Sequence, residues 1–241
     1  SEFVLVSASA SSLPDYAPGA HVEVATSAGV RSYSLIDWPG DTDGTYRVAV
    51  QREDDGDGGS VARHALAEGA FIQATPPKND FALSHGGKPV ALLAGGIGVT
   101  PMMSTLKEVF QIDIPPSERK PPNPFIKNIY LIWSVRVTKS WKWFFADLIK
   151  AVIASQNSPT KLYIDGYVTS DDPQMIELKQ GIKNQLGPLQ KYFGVAKGRP
   201  NMPLIMDRVE NSIGYGATRI GAMVCGPAKL TMQVYAESRT R

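Results

Sequence analysis

Cysteine is nearly absent from this chain of 241 residues, in which Cys225 is the one thiol. A single thiol cannot form an internal disulfide, complete a cysteine-ligated zinc site or supply the four thiolates of a plant-type iron–sulfur cluster. Histidine is also scarce, and His21, His64 and His85 share no metal-ligand spacing. The sequence therefore predicts no metal site, and an iron–sulfur cluster that works with this chain must lie on another chain.

Long hydrophobic runs are missing as well. The longest apolar stretches, residues 89–99 and 144–154, are shorter than the roughly 18 to 20 residues that a membrane helix requires. The N-terminus has neither the basic segment nor the apolar run of a signal peptide. No pattern of basic and aromatic residues indicates nucleic-acid binding. We expect neither a membrane span nor a nucleic-acid partner.

Charge is balanced overall but unevenly distributed. Residues 1–88 contain 6 basic and 12 acidic side chains, whereas residues 89–241 contain 19 basic and 11 acidic ones. Opposite signs favour two domains with different ligands, and a basic second half suits a phosphorylated ligand. The alternative interpretation is a chance distribution with a solvated acidic loop at Glu53–Asp57.

Short strands are predicted in the first third of the chain. Gly, Pro and Asp bound the apolar segments, and one helix-like segment, Ser60–Glu68, interrupts them. This pattern predicts an antiparallel barrel or sandwich over roughly residues 1–85. The predicted strands are Phe3–Val6, His21–Val24, Arg31–Ile36 and Tyr46–Gln51.

From Pro89 onward strands alternate with helices, which predicts a parallel, doubly wound sheet. The proline-rich stretch 114–124 and the segment 187–203 are predicted to be surface loops. The predicted strands are Pro89–Leu93, Asn128–Trp133, Leu162–Val168 and Ile220–Val224, and the predicted helices are Met102–Phe110, Trp141–Ala154 and Met175–Leu186.

The turn after the first of these strands reads L-L-A-G-G-I-G-V-T-P and contains Gly95, Gly96 and Gly98. Glycines let backbone N–H groups approach a ligand, and the next helix favours a phosphate or a ring at its N-terminus. Close backbone packing is the alternative explanation. Thr100 and Pro101 favour a ligand, because proline suits a first helical turn and the threonine hydroxyl lies where open α/β sheets bind ligands.

A second turn, Cys225-Gly226-Pro227, also follows an apolar strand. The carboxyl ends of parallel strands meet at one edge of a sheet, so this turn and Gly95–Pro101 are predicted to line one crevice. The sequence places no His or Asn where it could activate Cys225, and a lone cysteine after an apolar strand is usually a buried small side chain. Its predicted role is steric.

Ser134 and Arg136 end the second strand of this half, and two lysines follow closely. An arginine there can bind the adenosine 2′-phosphate of NADPH, which NADH lacks. An exposed arginine without a ligand is the alternative. The aromatic residues next along the chain are predicted to be helix core, with at most one ring available to stack on adenine. They are Trp141, Trp143, Phe144 and Phe145.

The first half contains R-S-Y-S-L on a predicted strand. Strand alternation places Arg31, Tyr33 and Leu35 on one face and Ser32 and Ser34 on the other. An arginine for a phosphate, a tyrosine for ring stacking and a serine hydroxyl suit a cofactor with a flat ring and a phosphate tail.

A second phosphate cradle is predicted at the segment G-D-G-G-S. Gly58, Gly59 and Ser60 lie there directly before the short predicted helix, where backbone N–H groups can point to a phosphate.

In this order the segments resemble the ferredoxin–NADP reductase-like flavoproteins. The order is R-S-Y-S-L, G-D-G-G-S, P-P-K-N-D-F-A-L, L-L-A-G-G-I-G-V-T-P and V-C-G-P. The first half is most similar to the phthalate-dioxygenase-reductase branch, in residues 18–24, in residues 58–60 with His64, and in residues 76–81. The second half is more similar to membrane ferric reductases and NADPH oxidases, in residues 129–136, 143–144, 167–170, 198–200 and 219–227.

The resemblance implies a role for each segment. The R-S-Y-S-L strand is expected to hold the flavin, with the Ser34 hydroxyl near the ring nitrogen that accepts hydride, and G-G-S is expected to hold the flavin phosphate. The two glycine turns are expected to place the nicotinamide against the flavin, so that catalysis depends mainly on proximity. The candidate catalytic residues are Ser34, Thr100 and Cys225. The candidate cofactor-binding residues are Arg31, Ser32, Tyr33, Ser34, Leu35, Gly58, Gly59, Ser60, Gly95, Gly96, Gly98, Thr100, Pro101, Ser134, Arg136, Cys225, Gly226 and Pro227.

The expected fold is an antiparallel flavin-binding β-barrel over residues 1–86, without its first strand, followed by a doubly wound parallel-sheet NAD(P)-binding domain over residues 87–241. The expected function is electron transfer from NAD(P)H through a flavin, FAD or FMN, to an iron–sulfur or heme protein. NADPH is the preferred nucleotide because of Arg136 and the basic second half, and NADH is the alternative.

Two other functions fit the same residues. The chain can be the dehydrogenase domain of a membrane NADPH oxidase or ferric reductase, or a non-catalytic interaction module that keeps the fold. The complete R-S-Y-S-L and G-G-S segments argue against the module. The expected location is the cytoplasm, or the cytosolic side of a membrane for a domain of a membrane protein.

Overall fold

The computed structural model describes residues 2–9, 12–26, 29–37, 44–50, 66–79, 90–112, 114, 117, 119–121, 126–211 and 220–240. The chain divides into two compact units. The first unit comprises Ser1–Ala82 together with Thr100–Glu108, and the second comprises Leu83–Val99 together with Val109–Arg241. Thr100–Glu108 thus packs with the N-terminal residues, and the domain boundary after residue 86 stays a prediction.

Antiparallel strand pairs build the first unit. Strand β1 (Glu2–Leu5) pairs with β4 (Tyr46–Ala49), and β2 (His21–Thr26) pairs with β3 (Gly29–Ser34). Across the described part of this unit the pairs form two separate two-stranded sheets. The predicted antiparallel strands are therefore confirmed, while the closed barrel stays a prediction.

Alternate residues of these strands form the core of the first unit. Val22 and Val24 of β2, Tyr33 of β3, Val48 of β4 and the adjoining Leu35 are buried in one cluster. The period of two follows from the strand backbone, which points successive side chains to opposite faces. The predicted helix at residues 60–68 lies mostly outside the described residues.

A parallel five-stranded sheet forms the centre of the second unit. Its strands are β5 (Val90–Gly95), β6 (Asn128–Val135), β7 (Lys161–Val168), β8 (Phe193–Lys197) and β9 (Gly221–Cys225). The spatial order is β8-β7-β6-β5-β9. The chain runs outward from β5 to β8 and then returns to the other side of β5, so the strand order reverses between β5 and β9. Open α/β sheets bind ligands outside the carboxyl ends of strands at such a reversal.

Helices connect the strands of this sheet, as the alternating sequence pattern predicts. They are a 3₁₀ segment (Gly96–Val99), α1 (Thr100–Phe110), a 3₁₀ segment (Thr138–Trp143), α2 (Phe145–Gln156), α3 (Met175–Leu186), a 3₁₀ segment (Gly187–Tyr192), α4 (Met202–Asn211) and α5 (Ala228–Thr240). Among the residues described here, no helix combines the length and apolar character needed to cross a membrane.

The predicted surface loop at residues 187–203 is wrong. It contains β8, which pairs with β7, and the start of α4. Strand β8 is hard to predict because Phe193 is its one buried residue. Helix α4 has an apolar face with Ile205 and Val209 four residues apart, a helical spacing that the sequence analysis overlooked.

Candidate functional site

The glycine turn after β5 packs directly against the turn after β9. A Cβ atom on Gly98 would lie 2.3 Å from the carbonyl oxygen of Cys225, and one on Gly95 would lie 2.6 Å from Cδ of Pro227. Gly226 has a φ of +152°, and a Cβ there would lie 2.9 Å from the Gly95 backbone. The two turns therefore lie together at the carboxyl edge of the sheet, as the sequence predicts.

Close backbone packing accounts for three of these glycines. Gly95, Gly98 and Gly226 leave no room for a side chain because protein atoms, mostly backbone, already occupy the space. Gly96 differs, because its φ of +56° lies in the left-handed region and its carbonyl accepts a hydrogen bond of 2.8 Å from the Trp133 indole N–H. Packing thus fixes the shape of the turn.

Helix α1 begins directly after this turn. Thr100 is buried, and the Pro101 carbonyl accepts hydrogen bonds of 3.1 Å from the hydroxyls of Ser104 and Thr105. No acidic residue lies in the first turn of the helix. No carboxylate of that turn therefore neutralises the positive end of the helix dipole. This arrangement favours an anionic ligand at the start of the helix.

Cys225 ends β9 and is half-buried. Burial raises the pKa of its thiol above the usual value. A protonated thiol is a poor nucleophile. These properties agree with the predicted steric role, and the catalytic assignment of Cys225 stays a prediction.

The R-S-Y-S-L residues lie on β3 and directly after it. Tyr33 and Leu35 point into the core, Arg31 and Ser34 are half-buried, and Ser32 is exposed. The Tyr33 side chain is 8% exposed, and its hydroxyl has no hydrogen-bond partner within the described structure. Burial raises the pKa of this hydroxyl. A buried hydroxyl without a partner is costly, and a bound water or a role in function is among the explanations for such a group.

The predicted phosphate cradle Gly58-Gly59-Ser60 lies outside the described residues. Its role stays a prediction.

The residues that follow β6 form a basic edge. Ser134 is half-buried near the end of the strand, and Arg136, Lys139 and Lys142 are exposed. The Arg136 carbonyl accepts hydrogen bonds from the N–H of Ser170 at 3.1 Å and from its hydroxyl at 2.6 Å. These hydrogen bonds fix the backbone of Arg136, and its side chain is exposed to solvent.

The aromatic residues after β6 divide into core and surface. Trp141 is fully buried, with its ring centroid 4.2 Å from that of Trp133, and Phe144 is buried beside it. The predicted burial of these two residues is thus confirmed, but both precede the α-helix, which begins at Phe145 after a 3₁₀ segment. Trp143 is 57% exposed, which leaves its ring accessible to a planar ligand.

Asp172 is a well-bound residue that the sequence analysis missed. Its carboxylate accepts hydrogen bonds from the Thr138 N–H at 2.7 Å and the Thr138 hydroxyl at 2.8 Å, and these bonds lower its pKa. The other carboxylate oxygen accepts a hydrogen bond of 3.0 Å from the Gln174 N–H, and an aspartate before a proline is the turn signal that could have pointed to it. A cavity of about 270 Å³ opens beside it, between Thr138–Phe145 and α3.

The sequence matches the ferric reductase NAD-binding domain family over residues 87–239. This match covers more than half of the chain. The chain belongs to that family. The matched residues contain the parallel sheet with the reversal of strand order at β5 and β9.

Relatives and solved structures agree with the family. A flavohemoprotein of Bordetella pertussis is 38% identical over 117 residues, which are 44% of this chain and 29% of that protein. The fold is similar to phthalate dioxygenase reductase, which transfers electrons from pyridine nucleotides to [2Fe-2S], with a TM-score of 0.55, 23% identity and coverage of 92% of this chain and 62% of that one. It is also similar to a Neisseria gonorrhoeae ferredoxin NADP⁺ reductase with bound FAD and NADP, with a TM-score of 0.56, 18% identity and coverage of 95% and 82%.

These matches confirm the predicted resemblance to ferredoxin–NADP reductase-like proteins. Among the neighbours, the Neisseria gonorrhoeae reductase is the one described with bound FAD and NADP. The chain spans less than a third of the length of the flavohemoprotein.

Proposed function

We propose that this chain is an NAD(P)H-dependent flavin reductase that passes single electrons to an iron–sulfur or heme protein. The observation that carries the proposal is that the chain contains both an NAD-binding sheet, in a family-matched segment, and a buried Tyr33 hydroxyl on β3 that has no partner in the described structure. The residues proposed for the flavin are those of the R-S-Y-S-L segment, within the barrel that we propose for residues 1–86. The experiment that tests the proposal is the absorption spectrum described at the end of the Discussion.

The residues of β3 suit a flavin. When bound, a flavin accepts a hydride from a nicotinamide and releases electrons one at a time. Arg31 supplies a cation for the phosphate tail, Tyr33 supplies a ring and a hydroxyl donor, and Ser34 supplies a hydroxyl near the reacting nitrogen. The missing partner of the Tyr33 hydroxyl supports this assignment, because the polar tail of a flavin offers hydrogen-bond acceptors.

The turns at the carboxyl edge of the sheet suit a nicotinamide dinucleotide. Gly96 and Gly226 shape the turns, Thr100 and Pro101 begin the helix that follows, and Cys225 limits the space beside them. The half-buried thiol holds its proton at neutral pH, so its contribution is shape. Ser134 and Arg136 are the residues proposed for the adenosine end of the nucleotide, at the exposed basic edge.

Replacing Arg136 with alanine is expected to raise the KM for NADPH about tenfold or more and to leave the KM for NADH nearly unchanged. The reason is that a guanidinium bound to a phosphate contributes roughly 1.5 to 3 kcal/mol, and only NADPH carries that phosphate. Steady-state kinetics with both nucleotides measure the effect. Trp143→Ala is the matched control, because loss of an adenine-stacking ring raises both KM values together. Equal effects of Arg136→Ala on the two nucleotides would remove the NADPH assignment.

Replacing Tyr33 with phenylalanine is expected to act in opposite directions on the two forms of the protein. Without flavin the Tm stays the same or rises, because a buried hydroxyl without a partner is lost. Binding of FAD or FMN weakens about threefold to tenfold, which corresponds to one hydrogen bond. Thermal unfolding and flavin titration measure the two effects. A Tm that falls without flavin, with unchanged flavin affinity, contradicts the assignment.

Reduction of ferric iron by a membrane partner is a second candidate function, which the family match favours. In that case the chain works as the dehydrogenase part of a ferric reductase or oxidase, on the cytosolic side of a membrane. Fusion or mixing with a heme-containing membrane domain distinguishes the two, because only this candidate predicts electron transfer to that heme faster than to an iron–sulfur protein.

A further inference from the structure

A buried ion pair connects helix α1 to the residue range that contains the strands of the first unit. Lys107 Nζ lies 2.9 Å from Oδ1 of Asp37, and the two side chains are 9% and 2% exposed. Arg47 also reaches the same carboxylate oxygen, with Nη1 at 3.2 Å. The Asp37 carbonyl accepts a hydrogen bond of 3.1 Å from the Tyr16 hydroxyl. Asp37 is therefore held through both its backbone and its side chain.

A second polar contact, a hydrogen bond to Gly19, connects the same helix to the first unit. The backbone N–H of Gly19 donates a buried hydrogen bond of 2.8 Å to the Ser104 hydroxyl. Thr100, Ser104 and Lys107 are spaced four and three residues apart, so they share one face of the helix. Both contacts are therefore made by the face of α1 that carries Thr100.

The two contact points on the strands lie on either side of Ser34. Gly19 stands two residues before His21, which is the direct partner of Ser34 in the β2–β3 register. Asp37 stands three residues after Ser34, just beyond the end of β3. Gly19 and Asp37 thus lie on either side of Ser34, the residue that we assign to the hydride-accepting nitrogen of the flavin.

We propose that Lys107 and Asp37 are positioning residues for hydride transfer, and this inference rests on the proposed function. In the step concerned, the C4–H bond of the dihydronicotinamide breaks and a hydride, with its two electrons, passes to the flavin, which leaves NAD(P)⁺ and reduced flavin. Both side chains of the ion pair are buried, so the pair acts through the fold. It holds Thr100, at the start of α1, in a fixed relation to Ser34, and a displacement of about 1 Å from such a geometry can cost on the order of 100-fold in rate.

The experiment uses the full chain with the double variant Asp37→Leu/Lys107→Met. It removes both charges together, so that no uncompensated buried charge is left to unfold the protein. Lys107→Arg is the conservative variant, and Lys78→Met is the matched control because it breaks an exposed ion pair with Glu23 in the same unit. Anaerobic rapid mixing with a series of NADPH concentrations gives the limiting rate of flavin bleaching and the apparent Kd separately. Hydrogen exchange of the peptide 100–110 without nucleotide reports on the helix itself.

The double variant is expected to bind flavin, to keep the apparent Kd for NADPH within about threefold, and to lose at least tenfold in the limiting rate, with faster exchange in the peptide 100–110. Lys107→Arg and Lys78→Met are expected to stay within about threefold of the wild type in all readouts. If the limiting rate of the double variant, measured on its flavin-bound fraction, is within twofold of the wild-type rate, the inference is wrong. The proposed function is not affected by that result. If NADPH does not bleach the flavin absorbance of the wild-type protein, both the proposed function and this inference are wrong.

Discussion

Replacing Gly98 with alanine is expected to lower kcat/KM for NADPH by about 100-fold or more and to lower the Tm. The new Cβ atom would lie 2.3 Å from the carbonyl oxygen of Cys225 and 2.6 Å from its carbonyl carbon. Both are backbone atoms, so no side-chain rotation can relieve the clash and one of the two turns must shift. Overpacking of this kind typically costs about 1–3 kcal/mol, and misplacement of a bound reactant by about 1 Å can cost 100-fold in rate.

Gly181→Ala is the matched control for this prediction. Gly181 lies in helix α3, and a Cβ atom there would meet Cζ of Phe145 at an ordinary 3.6 Å. Alanine in a helix interior is more favourable than glycine, so the control is expected to keep its activity and to be as stable as the wild type or slightly more stable. Thermal unfolding and nucleotide kinetics of both variants test the argument. Full activity of Gly98→Ala would show that the contact between the two turns is not needed for nucleotide binding.

Replacing Asp37 with alanine is expected to lower the free energy of unfolding by about 3–5 kcal/mol. The variant removes the carboxylate that lies 2.9 Å from the buried Lys107 ammonium, and removing one member of a buried ion pair is far more costly than replacing the whole pair. A loss of this size lowers the Tm by about 10 °C. Denaturant titration followed by circular dichroism measures the effect.

Two further variants check the cause of that loss. Glu23→Ala breaks the exposed pair with Lys78 in the same unit and is expected to change stability little, because surface ion pairs contribute little. Asp37→Leu/Lys107→Met removes both buried charges and is expected to recover most of the stability that Asp37→Ala loses. If the double variant is as unstable as Asp37→Ala, the loss comes from the shape of the site and the charge argument is wrong.

Local patterns predicted much of this fold. Period-two alternation identified the strands of the first unit and placed Tyr33 and Leu35 on one face, and the structure shows that both residues of this face are buried. The alternation of strands and helices after Pro89 predicted the parallel sheet, and the shared carboxyl edge predicted that the turns at Gly98 and Cys225 lie together. These successes rest on short-range periodicity and on general rules of sheet topology.

Long-range contacts account for what the sequence did not predict. The Asp37–Lys107 pair joins residues 70 positions apart, and no local pattern assigns α1 to the first unit. Strand β8 shows a single buried residue, Phe193, so its pattern resembles a loop. The sequence left two explanations for the glycine-rich turn, ligand approach and close packing, and the distances in the structure assign Gly95, Gly98 and Gly226 to packing. The unpartnered Tyr33 hydroxyl likewise depends on its surroundings in the fold.

The absorption spectrum of the purified protein, before and after anaerobic addition of NADPH, tests the central claim most directly. The account predicts a yellow protein, or a protein that turns yellow when FAD or FMN is supplied, whose visible absorbance is bleached by NADPH. Chromatography of the chromophore released by heat then identifies the flavin. A colourless protein that takes up neither flavin, or a yellow one that NADPH leaves unbleached, would contradict the proposed reductase function.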